Sequence, residues 1–145
     1  AIVDGWFRTG DIGTVDASGH LKLVGRAKNM IVTDGGKNIY PEDIEAVFDD
    51  VPCEELCVFA TRYIWRERTL TDEGLCVLLR LKTGQNLEDS LAAIRGANRK
   101  LADFKRVNAY LVVTQEFPRT ASMKIKRAEL AELVRSTATA PTPLA

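Results

Sequence analysis

The length, composition and charge of the chain exclude several classes of protein. It has 145 residues and a mass of 16.0 kDa, with 20 basic and 20 acidic side chains. This length suffices for one compact domain with a small appended piece. A formal net charge of zero argues against a nucleic-acid-binding protein, which needs a surplus of Lys and Arg. No segment has the roughly 18 apolar residues of a membrane span, and residues 1–10 lack a signal-peptide pattern, so we expect a soluble cytoplasmic protein.

The three cysteines do not predict a metal site. Their odd number does not suit a secreted disulfide framework. Cys53 and Cys57 are four residues apart and could share a helical face, but zinc needs further ligands and His20 is the only histidine. The favoured interpretation is that Cys53, Cys57 and Cys76 are core residues and that the chain binds no metal of its own.

The first forty residues predict two β-hairpins. A turn at residues 16–19 separates an aromatic and β-branched segment from an alternating strand at residues 21–24. A second pair of apolar segments, residues 30–33 and 39–40, lies on either side of the glycine-containing sequence DGGKN.

Helices and strands are predicted to follow. Pro41 suits the first position of a helix, whose apolar face would extend to Val51. Asn86 can cap a second helix, whose apolar face is predicted to continue through Leu101 to Phe104. A third helix is predicted at residues 128–134.

Three short apolar runs predict buried strands, at residues 56–60, 75–79 and 109–113, with a charged connector at residues 62–74. The order of elements predicts an α+β domain in which about three strands are covered by helices, with an N-terminal β-hairpin in front. Residues 136–145 are small and proline-containing, and are predicted to be disordered.

Two of the turns contain residues suited to binding a ligand. Asp11 follows a glycine turn, where a fixed carboxylate could accept hydrogen bonds from two ribose hydroxyls, or could simply stabilise the turn. The sequence from Gly25 to Asn38 is not a P-loop, because position 31 is Ile where that pattern needs Gly. Its adjacent glycines would let the backbone approach a thin ligand chain, although an ordinary hairpin turn explains them too.

The sequence PRTASMKIKR at residues 118–127 has four cations and no acidic residue. Its basic side chains cannot all pair locally, so one or more could bind an anion such as a phosphate. The alternative is a solvated basic start of a helix. Basic residues at a helix start oppose the helix dipole, which favours a functional reason for them.

Taken in order, these segments resemble the C-terminal part of the adenylate-forming enzymes, which include acyl-CoA synthetases, luciferases and peptide-synthetase adenylation domains. The family's aromatic-x-Thr-Gly-Asp motif is similar to GWFRTGD at residues 5–11, and its hinge motif to GRAKNMI at residues 25–31. The segment after the hinge resembles GKNIYPEDIE at residues 36–45, and the C-terminal lysine motif resembles residues 118–127. The resemblance covers residues 5–134 and implies the small C-terminal domain of this fold.

The resemblance implies the following roles in nucleotide chemistry. Asp11 would hold the ribose hydroxyls of ATP and of the acyl-adenylate, and Arg26 would contact the same nucleotide. Lys124 would be the catalytic lysine that bridges the substrate carboxylate and the α-phosphate while pyrophosphate leaves.

Further roles concern the second half-reaction. Lys28 would be the hinge about which the domain swings between two poses. Gly36 would line the tunnel for the pantetheine arm of CoA in the second pose, with Asn38 close by.

Where the family commonly has Gly before the lysine, this chain has Met123, as in some long-chain acyl-CoA synthetases. Residues 62–74 lack the usual Pro-Asp and Trp-Gly-Glu pattern, which concerns docking of CoA or of a carrier protein.

The resemblance also implies a partner, because the family's large N-terminal domain carries the phosphate loop, the adenine site, a Mg²⁺ ligand and the acyl pocket. Residues 1–27 would form the border with that domain, residues 28–135 the mobile domain, and residues 136–145 a tail. ATP, CoA and Mg²⁺ are the implied cofactors, and a carboxylic acid, of the fatty acid class, is the implied substrate. The isolated chain would fold but not turn over.

Two other functions stay open from the sequence. One is an acyl-AMP ligase that delivers its product to a carrier protein. The other is a stand-alone binding module that docks a phosphorylated partner on its basic loop.

Overall fold

The fold is that of a computed structural model, which describes residues 2–66, 74–138 and 140–144. Strands β1 (Ile2–Val3) and β2 (Trp6–Phe7) form a short antiparallel pair. Strands β3 (Asp11–Val15) and β4 (Leu21–Arg26) form the predicted hairpin, whose turn is closed by hydrogen bonds from the backbone N–H groups of Ser18 and His20 to Asp16.

A 3₁₀ turn, Ala27–Asn29, leads from this hairpin to the second one. Strands β5 (Ile31–Val32) and β6 (Asn38–Ile39) form that second hairpin, as the sequence predicts. Helix α1 (Pro41–Val47) begins at the proline but ends before Val51, which packs into the core from the following turn.

The centre of the molecule is a mixed sheet of four strands, the last of them β10 (Thr142–Pro143), with the order β10-β9-β8-β7. Strands β7 (Glu55–Ala60), β8 (Leu75–Arg80) and β9 (Val107–Val112) confirm the three predicted strands. Strands β7 and β8 are antiparallel, and β8 and β9 are parallel. Helix α2 (Thr61–Ile64) follows β7, helix α3 (Leu87–Asn98) joins β8 to β9, and helix α4 (Arg127–Thr137) comes after β9.

Helices cover both faces of this sheet because the strand residues alternate between the faces. Val58, Val77 and Leu79 pack with residues of α1 and α3. Cys57, Phe59, Cys76 and Leu78 pack on the opposite side, with Ile64 of α2 and with Leu130 and Val134 of α4. The α+β prediction is therefore confirmed. None of the helices in the described ranges is long and apolar enough to cross a membrane.

The end of helix α3 differs from the prediction. The helix stops at Asn98, because the Asn98 side chain donates to the carbonyl of Val107 at 2.8 Å and accepts from its N–H at 3.0 Å. The prediction that Phe104 continues the apolar face of this helix is wrong. Phe104 lies in a separate 3₁₀ turn, Asp103–Lys105, and the ammonium of Lys37 is 4.3 Å from its ring centroid.

The C-terminal residues also differ from the predicted disordered tail. Helix α4 continues to Thr137, and β10 (Thr142–Pro143) pairs with β9. Proline has no N–H to give to a further strand, which suits this outer position in the sheet. Leu144 is buried in the core, and its N–H donates to the backbone carbonyl of Asn108. Strand pairing and one buried apolar side chain thus hold a segment whose small residues and prolines predict disorder.

Candidate active-site loops

Asp11 and Arg26 face each other across the β3–β4 hairpin. They are paired in the strand register, and Nη1 of Arg26 lies 2.9 Å from Oδ1 of Asp11. Each side chain is about a third exposed, at 32% for Asp11 and 38% for Arg26. Nε of Arg26 is buried and has no hydrogen-bond partner within the described residues. The pair therefore offers an accessible carboxylate beside a guanidinium, the two groups that ribose hydroxyls and a phosphate would need.

Lys28 lies in the 3₁₀ turn directly after this pair, and it is exposed. The residues around it are tied to α1: the Asn29 amide donates to Glu42 at 2.7 Å. Gly25 packs so closely on Tyr40 and Glu42 that a Cβ at this position would lie 3.0 Å from a Glu42 oxygen. Lys28 thus occupies the exposed part of a short segment whose two ends are in contact with helix α1.

The glycine loop, residues 33–37, is a tight turn between β5 and β6. Gly36 has a φ of +76°, which explains a glycine here, and its N–H donates to the carbonyl of Thr33 at 2.8 Å. A Cβ on Gly36 would meet nothing within 4 Å, and Asn38 at the end of the loop is exposed. The backbone at Gly36 is consequently open to a ligand from outside.

Arg62 of α2 holds this glycine loop in place. Its Nη1 donates to Oδ1 of Asp34 at 3.0 Å, and its Nη2 donates to the carbonyl of Val32 at 2.7 Å. Arg62 is the first residue of the predicted connector at residues 62–74, so the connector contacts the glycine loop there. Residues 67–73 of that connector lie outside the described residues.

The lysine loop, residues 119–125, is a small hairpin. A bridge joins Arg119 and Ile125, and the N–H of Thr120 donates to the carbonyl of Lys124 at 2.8 Å. Met123 adopts a φ of +65°, a left-handed conformation that favours glycine and is strained for other residues. The position where the family commonly has Gly is thus the one whose backbone requires positive φ.

The four cations of this segment have different surroundings. Arg119 pairs with Glu55 at 2.8 Å, Arg127 pairs with Glu45, and Lys126 pairs with Glu129 at 3.2 Å. Lys124 is exposed, and it has no ion-pair partner in the part of the chain that the structure describes. Lys124 is therefore the cation that this segment leaves available to an anion.

Two carboxylates hold the two ends of the lysine loop, of which Glu55 is buried and Glu45 is half-buried. Glu55, at the start of β7, accepts hydrogen bonds from Arg119 at the start of the loop. Glu45, in α1, accepts hydrogen bonds from Arg127 after the loop and from the N–H of Val58 at 3.1 Å. Neither acid is predictable from the sequence, because they come 64 and 82 residues before their arginine partners and no local pattern links them.

The surroundings of Glu55 keep it charged. Burial raises the pKa of Glu55, but hydrogen bonds from Phe117 N–H, Arg80 and Arg119 outweigh burial, so the pKa lies below its ordinary value of 4.5. The opposite applies to the buried cysteines, where burial raises the pKa of Cys57 far above its usual range and that of Cys76 to about 12. Cys57 and Cys76 are core residues, as predicted, whereas Cys53 is only half-buried against the core. The described residues contain no cluster of three or more potential metal ligands.

Comparison with individual known proteins identifies the family, although no family model matches the chain. It is 35% identical over 132 residues to the human mitochondrial medium-chain acyl-CoA ligase ACSF2, covering 89% of this chain and 20% of that enzyme. It is 37% identical over 139 residues to 2-succinylbenzoate–CoA ligase of Geobacillus kaustophilus, covering 94% of this chain and 26% of that enzyme. The chain is homologous to adenylate-forming acyl-CoA ligases.

Solved structures agree with this family. A fatty acyl CoA synthetase of Mycobacterium tuberculosis superimposes with a TM-score of 0.64 and 30% identity, over 94% of this chain and 26% of that one. The o-succinylbenzoate CoA synthetase of Bacillus subtilis in complex with ATP and magnesium gives a TM-score of 0.67 and 26% identity, over 89% of this chain and 25% of that one.

The predicted family and the predicted fold, that of the C-terminal domain of adenylate-forming enzymes, are thus confirmed. The chain spans only a fifth to about a quarter of the length of the relatives it matches. The individual roles of Asp11, Arg26, Lys28, Gly36, Asn38 and Lys124 stay predictions.

Proposed function

We propose that this chain is the mobile C-terminal domain of an ATP-dependent ligase that activates a carboxylic acid, of the fatty acid class, as an acyl-adenylate and transfers the acyl group to CoA. The observation that carries the proposal is the exposed Lys124, which has no ion-pair partner among the described residues, on a hairpin loop held at both ends. Homology to acyl-CoA ligases supports the same reaction class.

The chemistry of the first half-reaction explains why one such lysine is needed. A carboxylate oxygen attacks the α-phosphorus of ATP, the bond from that phosphorus to the bridging oxygen breaks, and pyrophosphate leaves. Two anions approach each other in this step, so a cation placed between them stabilises the transition state. Because Lys124 lies on a domain that can move, it would supply its charge only in the closed pose.

The nucleotide would be held at the domain border by Asp11 and Arg26. The accessible Asp11 carboxylate can accept hydrogen bonds from two ribose hydroxyls, and the guanidinium of Arg26, about a third exposed, lies beside it. When bound, Mg²⁺ would neutralise phosphate charge, and we expect its ligands to come from the N-terminal domain.

The second half-reaction would use the glycine loop. The CoA thiol attacks the acyl carbonyl carbon and AMP leaves with the former carboxylate oxygen. The open backbone at Gly36, beside the exposed Asn38, suits a narrow pantetheine chain. Rotation of the backbone at Lys28 would move residues 28–135 as one domain. This movement would take the lysine loop out of the active site and bring the glycine loop into it.

Its own N-terminal domain would be the partner of this chain. One face of the β3–β4 hairpin carries Val15, Leu21 and Leu23, each at least 65% exposed, and Trp6 beside the hairpin is 79% exposed. Apolar surface of this extent is typical of an interface. We propose that this surface docks on the N-terminal domain and that the protein acts in the cytoplasm, with residues 1–27 as the border between the domains.

The test is a pair of assays on the intact protein that contains this chain. ATP–pyrophosphate exchange with a panel of carboxylic acids measures adenylation, and release of product with and without CoA identifies the acceptor. We expect exchange that depends on a fatty acid, release that depends on CoA, and no turnover by the isolated 145-residue chain.

Other results would contradict the proposal. Release that needs a carrier protein instead of CoA would favour an acyl-AMP ligase. Absence of exchange with every acid, together with binding of a phosphorylated partner, would favour the binding module.

A further inference from the structure

We propose that Arg119 is a positioning residue for Lys124 and that Glu55 holds Arg119 in place for this purpose. This inference rests on the proposed adenylation role of Lys124. It adds two residues, one at the start of the lysine loop and one on the central sheet, to the parts of the domain that determine the rate of the first half-reaction.

The guanidinium of Arg119 makes three hydrogen bonds in two directions. Its Nε and Nη2 both donate to Oε1 of Glu55, at 3.0 and 2.8 Å. Its Nη1 donates to the carbonyl oxygen of Met123 at 2.8 Å. Because the guanidinium is planar and its donors have a fixed geometry, holding two of them determines where the third one points.

The carboxylate of Glu55 is held rigidly within the fold. It is 9% exposed and lies at the start of β7, in the central sheet. Its other oxygen, Oε2, accepts hydrogen bonds from Nε of Arg80 at 2.6 Å and from the N–H of Phe117 at 3.0 Å. A carboxylate with this many donors has little freedom to rotate, so the position of Arg119 is defined relative to the sheet.

The third hydrogen bond of Arg119 acts on the peptide group directly before Lys124. Its acceptor is the carbonyl of Met123, whose φ of +65° is a strained conformation for a residue with a side chain. A strained conformation persists only where its surroundings hold it. The orientation of this peptide sets the direction in which the Lys124 side chain leaves the backbone, so Arg119, together with Thr120, whose Oγ1 accepts from the N–H of Lys124 at 3.2 Å, limits where the ammonium can reach.

Such control matters for a reaction that depends on the placement of one charge. A displacement of about 1 Å can lower a rate by roughly 100-fold when the reacting groups must be aligned. The second half-reaction needs no contribution from Lys124, so disturbance of the lysine loop should leave that step unchanged. The two half-reactions therefore separate a positioning role from a general role in stability.

The test uses the intact protein and the substitution Arg119→Lys. Lysine keeps the charge beside Glu55 but has no planar fork, so it cannot reproduce the fixed geometry of the three hydrogen bonds that Arg119 makes to Glu55 and the Met123 carbonyl. The matched control is Arg95→Lys, which alters a half-buried arginine on α3 that pairs with Glu88 at 2.8 Å. Thermal unfolding of each variant checks that the domain folds, and Glu55→Gln provides a second variant that weakens the same link.

We expect Arg119→Lys to lower kcat for ATP–pyrophosphate exchange about tenfold, with little change in KM for ATP. Formation of thioester from presynthesised acyl-adenylate and CoA should match that of Arg95→Lys. Glu55→Gln should show the same difference between the two half-reactions. Equal exchange rates in Arg119→Lys and Arg95→Lys, or equal losses in both half-reactions, would overturn the inference.

A Lys124→Ala variant in the same assays distinguishes this inference from the proposed function. If Lys124→Ala abolishes exchange while both Arg119→Lys and Glu55→Gln retain it, only the positioning role is refuted. If Lys124→Ala retains exchange, the proposed role of Lys124 is refuted, and the inference about Arg119 is refuted with it.

Discussion

The ion pair of Glu45 and Arg127 covers the free side of strand β7, and its loss should strongly destabilise the domain. In the described sheet β7 is an outer strand, so the backbone groups of Val58 that point away from β8 need other partners. The Val58 N–H donates to Glu45 at 3.1 Å, and its carbonyl accepts from Arg127 at 2.9 Å. Two side chains thus take the place of a neighbouring strand at this point.

The size of the effect follows from what each substitution leaves unpaired. Arg127→Met leaves the Glu45 carboxylate without its counter-charge, and breaking a buried pair typically costs about 3–5 kcal/mol. Because the two side chains keep 15% and 20% exposure, we expect the lower end, about 3 kcal/mol. In the double variant Glu45→Leu with Arg127→Met no charge is left alone, and the unpaired groups of Val58 should cost about 1–2 kcal/mol.

Urea unfolding of the chain, followed by tryptophan fluorescence, measures these free energies. The control Arg95→Met makes the same substitution at a half-buried arginine, whose pair with the exposed Glu88 should contribute less than about 1 kcal/mol. We expect the double variant to be more stable than Arg127→Met alone. A free energy of unfolding for Arg127→Met close to that of Arg95→Met, or a double variant less stable than the single one, would refute this reasoning.

Two further predictions concern titration and thiol chemistry. The pKa of Glu55 is lowered in the folded state, so its contribution to stability should be present above the ordinary pKa of 4.5 and be lost as the pH falls through the folded value. Urea midpoints should therefore separate wild type from Glu55→Gln at neutral pH and converge in acid; a constant difference would contradict this. Burial and raised pKa values should protect Cys57 and Cys76 from alkylation by iodoacetamide in the folded chain, whereas the half-buried Cys53 should react first. Peptide mass mapping of the labelled chain checks that order, and equal labelling of all three thiols would contradict it.

Local patterns in the sequence predicted most of the fold. The alternating and apolar runs predicted β7, β8 and β9, and Pro41 and Asn86 correctly marked the starts of α1 and α3. Tertiary contacts overrode these patterns where the prediction failed. Asn98 ends α3 by binding Val107, and Leu144 draws the C-terminal segment onto the sheet. Neither contact leaves a trace in residue spacing.

The candidate site could be predicted only in part, for the same reason. Motif order predicted Asp11 and Arg26, which the structure places in contact, and the lysine segment containing Lys124. The roles of Arg119 and Arg127 were not predictable from a run of four cations. Their carboxylate partners lie on β7 and α1, so only the folded chain shows which cations are paired.

The most direct test of the account is ATP–pyrophosphate exchange by the intact protein, comparing Lys124→Ala with Lys126→Ala. The two lysines are two residues apart and both exposed, but Lys126 pairs with Glu129 at 3.2 Å. Loss of a preorganised charge at the transition state costs roughly 3 kcal/mol, so Lys124→Ala should lower fatty-acid-dependent exchange roughly 100-fold or more. Lys126→Ala should exchange at nearly the wild-type rate. Equal exchange by the two variants would contradict the catalytic role of Lys124, and with it the proposed function.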